Sequence, residues 1–220
     1  DYSDKFLDLA SYKGSFDRKE DYENALKSLL GIEFSYVVNK EWAELTNDTK
    51  VEAEGFTWTI GVDAFASIED CLAILTEGGV IKVLAGNYDT ELNISMNNVT
   101  LVGPNQDINP QYENRNNEAV IANKINLADG IQNFTLNGFE LTGAGQILPG
   151  VDCVNISFKY NVINKTTADG VLRFKSTGQA TNVEFIGCYS TNNSSYRIIH
   201  VADAGIVGLT ISNNYFDNDA

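Results

Sequence analysis

Histidine is nearly missing from this 220-residue chain, with His200 as the single copy. A mechanism that needs two histidines is therefore excluded. Basic residues are also scarce: 15 Lys and Arg stand against 30 Asp and Glu, for a net charge of −15. Such a surface repels phosphate backbones and anionic membranes, which argues against nucleic-acid binding and polybasic membrane attachment. The acidic balance reads first as a solubility feature. Cys71, Cys153 and Cys188 show no metal-ligand or redox spacing and read as small buried apolar residues, with a disulfide between two of them left open. No apolar run approaches the roughly 18 residues of a membrane span, and no stretch has the layout of a signal peptide. Because the first residue is Asp1 rather than Met, the chain reads as a processed or excised piece, which leaves secretion open.

What the chain does have is a repeated phrase: Asn, apolar, any residue, apolar, then a small or turn-forming residue. It runs Asn98-Val99-Thr100-Leu101, Asn133-Phe134-Thr135-Leu136, Asn155-Ile156-Ser157-Phe158 and Asn182-Val183-Glu184-Phe185, and ends with Gly208 in the Asn place before Leu209-Thr210-Ile211. The leading apolar residues are separated by 35, 22, 27 and 26 positions, a recurrence that marks stacked supersecondary units. An Asn before a strand can take the left-handed conformation of a tight bend, and stacked Asn side chains can bond from coil to coil. The pattern predicts an all-β solenoid: a right-handed, single-stranded parallel β-helix of about five coils, the hand following from the bias of parallel crossovers. Buried in that stack, these Asn side chains would be closed to glycans, so the Asn-x-Ser/Thr matches at Asn98, Asn133 and Asn155 are not evidence of secretion.

Residues 1–55 read as an N-terminal cap of helices and a hairpin, and 56–220 as the β-helix. Apolar residues at three- and four-residue intervals predict two short helices before Gly31. Tyr36-Val37-Val38 reads as a strand, and Lys50–Ile60 as a hairpin turning at Gly55, with Phe56, Trp58 and Ile60 on one face. Trp42 and Trp58 read as core aromatics closing the stack, with a sugar-stacking platform as the alternative. Ser67 to about Glu77 is the clearest helix, capped by Ser67 with Asp70 and striped by Ile68, Cys71, Leu72 and Leu75. Such a helix would close the lower edge. The first coil is expected to comprise Val80–Ala85, a turn at Gly86-Asn87-Tyr88, Leu92–Met96 and Asn98–Gly103. The second is expected at Glu118–Ile121, Lys124–Leu127 and a continuous Asn133–Leu141. Pro104 and Pro110 break the loop between them.

The run Phe65-Ala66-Ser67-Ile68 through Gly79-Val80-Ile81-Lys82-Val83, Gly86-Asn87-Tyr88 and Asn98-Val99-Thr100-Leu101-Val102-Gly103 resembles the opening of pectin-lyase-like β-helix proteins, especially the pectinesterase branch and related bacterial surface proteins. The resemblance covers residues 56 to 216 and implies the fold. Sequences of the Asp-Phe-Ile-Phe-Gly, Leu-Gly-Arg-Pro-Trp, Asn-Thr-Asp and Gly-His-Gly types, which carry catalysis in that superfamily, do not occur, so no catalytic residue is carried over.

Two other groups offer chemistry. With Leu172 and Phe174 pointing inward, Arg173 faces out, and aligning Gly178 with Gly205 stacks it under His200, with Gln146 one coil lower. A Gln146–Arg173–His200 column suits an acidic or hydroxylated sugar, since Arg forks match carboxylates and His acts near neutral pH. Asp107, Asn109, Glu113 and Glu118 form the calcium alternative, although their loop lacks the alternating Asp/Asn-with-Gly pattern of a dedicated site. The expectation is a non-catalytic module of a bacterial extracellular or cell-surface protein, a stalk or a carbohydrate- or partner-binding surface without membrane insertion. The alternative is a polysaccharide lyase or glycoside hydrolase acting on polyuronides from the outer strand face. The last phrase has no visible cap above it, so more chain or end-to-end association through the final coil is expected there.

Overall fold

The computed structural model describes residues 34–76, 78–165, 171–174, 178–190, 198–201 and 205–216. The chain divides into two compact units, Asp1–Phe34 and Ser35–Ala220, and the elements below belong to the second. The helices expected over residues 1–33 lie outside the described residues, and the boundary expected at 55/56 falls inside a hairpin turn.

The described part is mostly β-strand, with strand β1 (Tyr36–Val38), the hairpin β2 (Lys50–Ala53) and β3 (Phe56–Thr59), the short β4 (Ala64–Phe65) and helix α1 (Ile68–Ile74) at its start. Glu54 and Gly55 turn the hairpin with positive φ of 52° and 81°, as a two-residue turn between twisted strands requires. Trp58 is fully buried and donates its indole N–H to the Ala53 carbonyl at 2.8 Å. Ser67 caps α1, accepting from the Asp70 N–H at 3.1 Å while its hydroxyl donates to the Asp70 carboxylate. The helix ends at Ile74, earlier than its apolar stripe predicts, and buries Ile68 and Cys71.

The strands then come in threes: β5 (Gly79–Val83), β6 (Gly86–Tyr88) and β7 (Leu92–Ile94); β8 (Val99–Val102), β9 (Ala119–Ile121) and β10 (Lys124–Leu127); β11 (Gln132–Asn137), β12 (Glu140–Gly143) and β13 (Gln146–Leu148). They continue as β14 (Val154–Lys159), β15 (Val162–Lys165) and β16 (Leu172–Phe174); β17 (Gln179–Ile186), β18 (Tyr189–Ser190) and β19 (Ile199–Val201); and a final pair, β20 (Gly205–Ser212) and β21 (Tyr215–Phe216). Each triplet is one rung. From β5 onward each strand pairs in parallel with the strand three elements on, giving sheets of eight, five and six strands.

This pairing corrects the expected coil boundaries. Gly86–Tyr88 is a strand, paired with β9, and not a turn. Asn98–Gly103 does not complete the first coil: Val99 to Val102 stack on Gly79 to Lys82 and open the second. Asn133–Leu141 is likewise broken at Gly138, so β11 and β12 enter different sheets. The break is the left-handed backbone of Gly138, φ 80°, and glycine is required there because a side chain would meet the Asn105–Gln106 backbone at 2.4 Å.

Inward residues alternate along strands such as β7, β9, β10 and β16 and stack between rungs. Val99, Phe134, Ile156 and Val183 are all 0% exposed, as the repeated phrase predicts. Phe134, Phe158, Phe185 and Phe216 form a ring column with successive centroids 6.4, 6.2 and 5.9 Å apart. The lower end is covered sheet by sheet: β1 and β4 extend the sheet below β5, Lys40–Trp42 packs on β6, and α1 packs on β7. At the other end Leu209 is 39% and Ile211 52% exposed, although both occupy inward positions. Cys71, Cys153 and Cys188 are buried thiols that form no disulfide, and burial pushes the Cys71 and Cys188 thiols up to about 12.

Candidate functional site

The bend leading into the eight-stranded sheet is built by the repeated Asn. Asn98, Asn133, Asn155 and Asn182 hold φ of 61°, 59°, 58° and 54°, left-handed values that Asn tolerates better than most side chains. The last three amides each donate to the Asn of the preceding rung: Asn133 to Asn98 at 2.7 Å, Asn155 to Asn133 at 2.7 Å and Asn182 to Asn155 at 3.0 Å. Gly208 takes the bend at φ 73°, and a side chain there would come within 2.9 Å of Asn182 Oδ1. The expectation that these residues are buried is wrong. All four are exposed, because the bend turns the side chain outward while the following apolar residue turns in.

Beside this ladder lies a groove of about 310 Å³ lined by Asn133, Asn155 and Asn182, by Thr135, Ser157 and Glu184, and by Lys159. Register explains the grouping, since Thr135, Ser157, Glu184 and Thr210 lie opposite one another on successive strands. The Ser157 hydroxyl donates to Glu184 Oε2 at 2.9 Å, and Lys159 Nζ lies 3.1 Å from the same oxygen. The Ser157 hydrogen bond, followed by Lys159, holds the Glu184 carboxyl below its ordinary value against a smaller opposing effect of burial. A general base works best with a pKa near the working pH, and Glu184 is moved the other way. The cluster is thus a fixed, charge-balanced polar floor, suited to hydrogen-bonding a ligand more than to activating Ser157.

The sequence-predicted column is only partly assembled. Arg173 lies directly opposite His200 on β16 and β19. Gln146 is not beneath them: Ile147 pairs with Leu172, which sets Leu148 under Arg173, while Gln146 pairs with Lys124 and is 4% exposed.

In the calcium alternative, Glu118 is held by Arg115 through Nε at 2.6 Å and Nη2 at 3.0 Å, and by Asn105 Nδ2 at 2.9 Å. Asp107 accepts from Asn137 Nδ2 at 2.9 Å, and Glu113 accepts from the Asn109 N–H at 3.2 Å. Among the described residues, no group of three or more His, Cys, Asp or Glu side chains is placed to hold a metal ion. Trp58, at 0% exposure, leaves no indole face for a sugar, and Trp42 is 9% exposed.

Sequence reasoning missed the Ser157–Glu184–Lys159 cluster and the Arg115 brace, whose Nη1 also donates to the Ile108 and Tyr160 carbonyls at 3.0 Å each. It also missed a second Asn corner. Asn161 and Asn214 each use their side-chain amides to tie the six-stranded sheet to the preceding rung, through Phe139 and Leu136, and through Cys188 and Phe185. The Asn before Val162 and before Tyr215 was the available signal.

No protein-family model, curated protein or solved structure matches the chain. No helix among the described residues is long and apolar enough to cross a membrane.

Proposed function

We propose that the chain is a non-catalytic module of a bacterial extracellular or cell-surface protein, a right-handed parallel β-helix of the pectin-lyase-like kind that presents a carbohydrate-binding surface. The repeating three-sheet pairing supports the fold, and the strong bias of parallel crossovers supports the hand. One observation carries the function: a groove of about 310 Å³ on a rigid sheet face, furnished with regularly spaced Asn amides and a charge-balanced Ser157–Glu184–Lys159 floor. Rigid donors and acceptors in a concave strip are what recognition of hydroxyl-rich ligands needs. The depressed Glu184 carboxyl favours binding over catalysis.

A polysaccharide lyase or hydrolase acting on polyuronides is the second reading, supported by Arg173 lying opposite His200. The exposed apolar residues of the last rung support end-to-end association of copies. A glycan array probed with the purified chain tests the first reading. Saturable binding to a glycan class is expected, and a flat response reduces the module to a stalk. New reducing ends or unsaturated products from polyuronides, lost in Arg173→Ala or His200→Ala, would instead establish the enzyme.

A further inference from the structure

Resting on the carbohydrate-binding reading, we infer that the groove over β11, β14 and β17 takes a neutral, linear, hydroxyl-rich polysaccharide laid along the stacking direction, about one sugar to a rung. The ladder supplies the repeat. An Asn amide has two N–H donors and an oxygen with two lone pairs. Asn155 spends one donor on Asn133 and one lone pair on Asn182. Each inner ladder position therefore keeps one donor and one acceptor, on residues that are exposed. A hydroxyl group is itself both donor and acceptor, so a sugar matches this pair where a carboxylate or an ammonium matches only half of it.

Spacing is the second support. Adjacent rungs are separated by the interstrand distance of about 4.8 Å, and an extended pyranose chain advances by a comparable step per residue. Successive rings of an extended β-linked chain turn over, so a contact made at Asn133 can recur at Asn182 while Asn155 meets the opposite edge of the ring between them.

Charge decides which sugar. The cation lining the groove, Lys159, is paired with Glu184, so the two sum to zero. A uronate chain brings one negative charge per sugar, and the groove lining offers only the Lys159 cation, already paired with Glu184, to meet it. The overall charge of −15 adds to the repulsion. Ser157 and Lys159 both meet Glu184 at Oε2, which leaves Oε1 to accept from a sugar hydroxyl.

The test is calorimetric titration of the purified chain with a neutral β-linked glucan and mannan hexasaccharide, an oligogalacturonate and a chitosan oligomer of equal length. Neutral binding about tenfold tighter than to the uronate, and insensitive to salt, is expected. Glu184→Gln and Asn155→Gly are each expected to weaken it several-fold, with circular dichroism confirming that the fold is kept; Gly keeps the left-handed bend as Gly208 does. Preference for the uronate or for chitosan overturns this inference and leaves the carbohydrate reading standing. No binding to any glycan overturns both. Neutral binding that neither variant changes places the sugar elsewhere and also overturns it.

Discussion

Asn133 Oδ1 accepts a 2.7 Å hydrogen bond from the side-chain amide of Asn155 on the following rung, and both residues hold left-handed backbones, at φ 59° and 58°. One residue type therefore makes the bend and links the rungs. Replacing Asn155 with Ala removes the ladder bonds and leaves a Cβ in a conformation that costs about 1–2 kcal/mol. A loss of roughly 2 kcal/mol is expected for Asn155→Ala and about half that for Asn155→Gly, read from urea midpoints at unchanged slope. Equal losses would show that the hydrogen bonds dominate and the bend is incidental.

Arg115 and Glu118 form a largely buried pair, with side chains 10% and 18% exposed. Removing one partner strands the other charge, at a cost of about 3–5 kcal/mol when burial is complete. Arg115→Met is expected to destabilise the protein more than the double change Arg115→Met with Glu118→Leu. Thermal unfolding of the two variants measures this, and the reverse order would show that the pair contributes more than its isolation costs.

The folded Glu184 carboxyl lies below its ordinary value of 4.5. Its contribution to stability is therefore present above pH 4.5 and is lost as pH falls through the folded value. Because Glu184 is partly exposed, the effect is small, under about 1 kcal/mol. Glu184→Gln is expected to flatten this part of the stability curve between neutral pH and pH 3 and leave the rest of it unchanged. An acid limb identical to that of the parent protein would contradict the assignment.

Strand β20, Gly-Ile-Val-Gly-Leu-Thr-Ile-Ser, carries no charge and pairs on one side only among the described residues. Uncharged edge strands with exposed apolar residues invite pairing with another chain. Concentration-dependent association in sedimentation velocity is expected, and Ile211→Lys is expected to abolish it. A monomer at every concentration would remove end-to-end association.

Much of this architecture is legible in the sequence because local chemistry fixes it. A left-handed bend selects Asn or Gly, and alternation places Val183 and Phe185 inward whatever the rest of the chain does. Ser67 announces its helix through the cap. Arg173 does lie opposite His200, but the alignment of Gly178 with Gly205 that suggested it is off by one, since Gln179 pairs with Gly205. Gln146 was misplaced because β13 and β16 pair Ile147 with Leu172, a register that no local motif in the sequence marks. Rung boundaries were misread where Gly86–Tyr88 looked like a turn while pairing as a strand. The Ser157–Glu184–Lys159 floor and the Arg115 brace arise from residues brought together by stacking or by a long loop, and no periodicity marks them.

The groove as a strip running across rungs is tested most directly by the affinity of neutral oligosaccharides of increasing length. Three rungs line it, β11, β14 and β17, so affinity is expected to climb with each sugar up to about three and then level off. Affinity that is the same for one sugar as for three, or absent at every length, would contradict it.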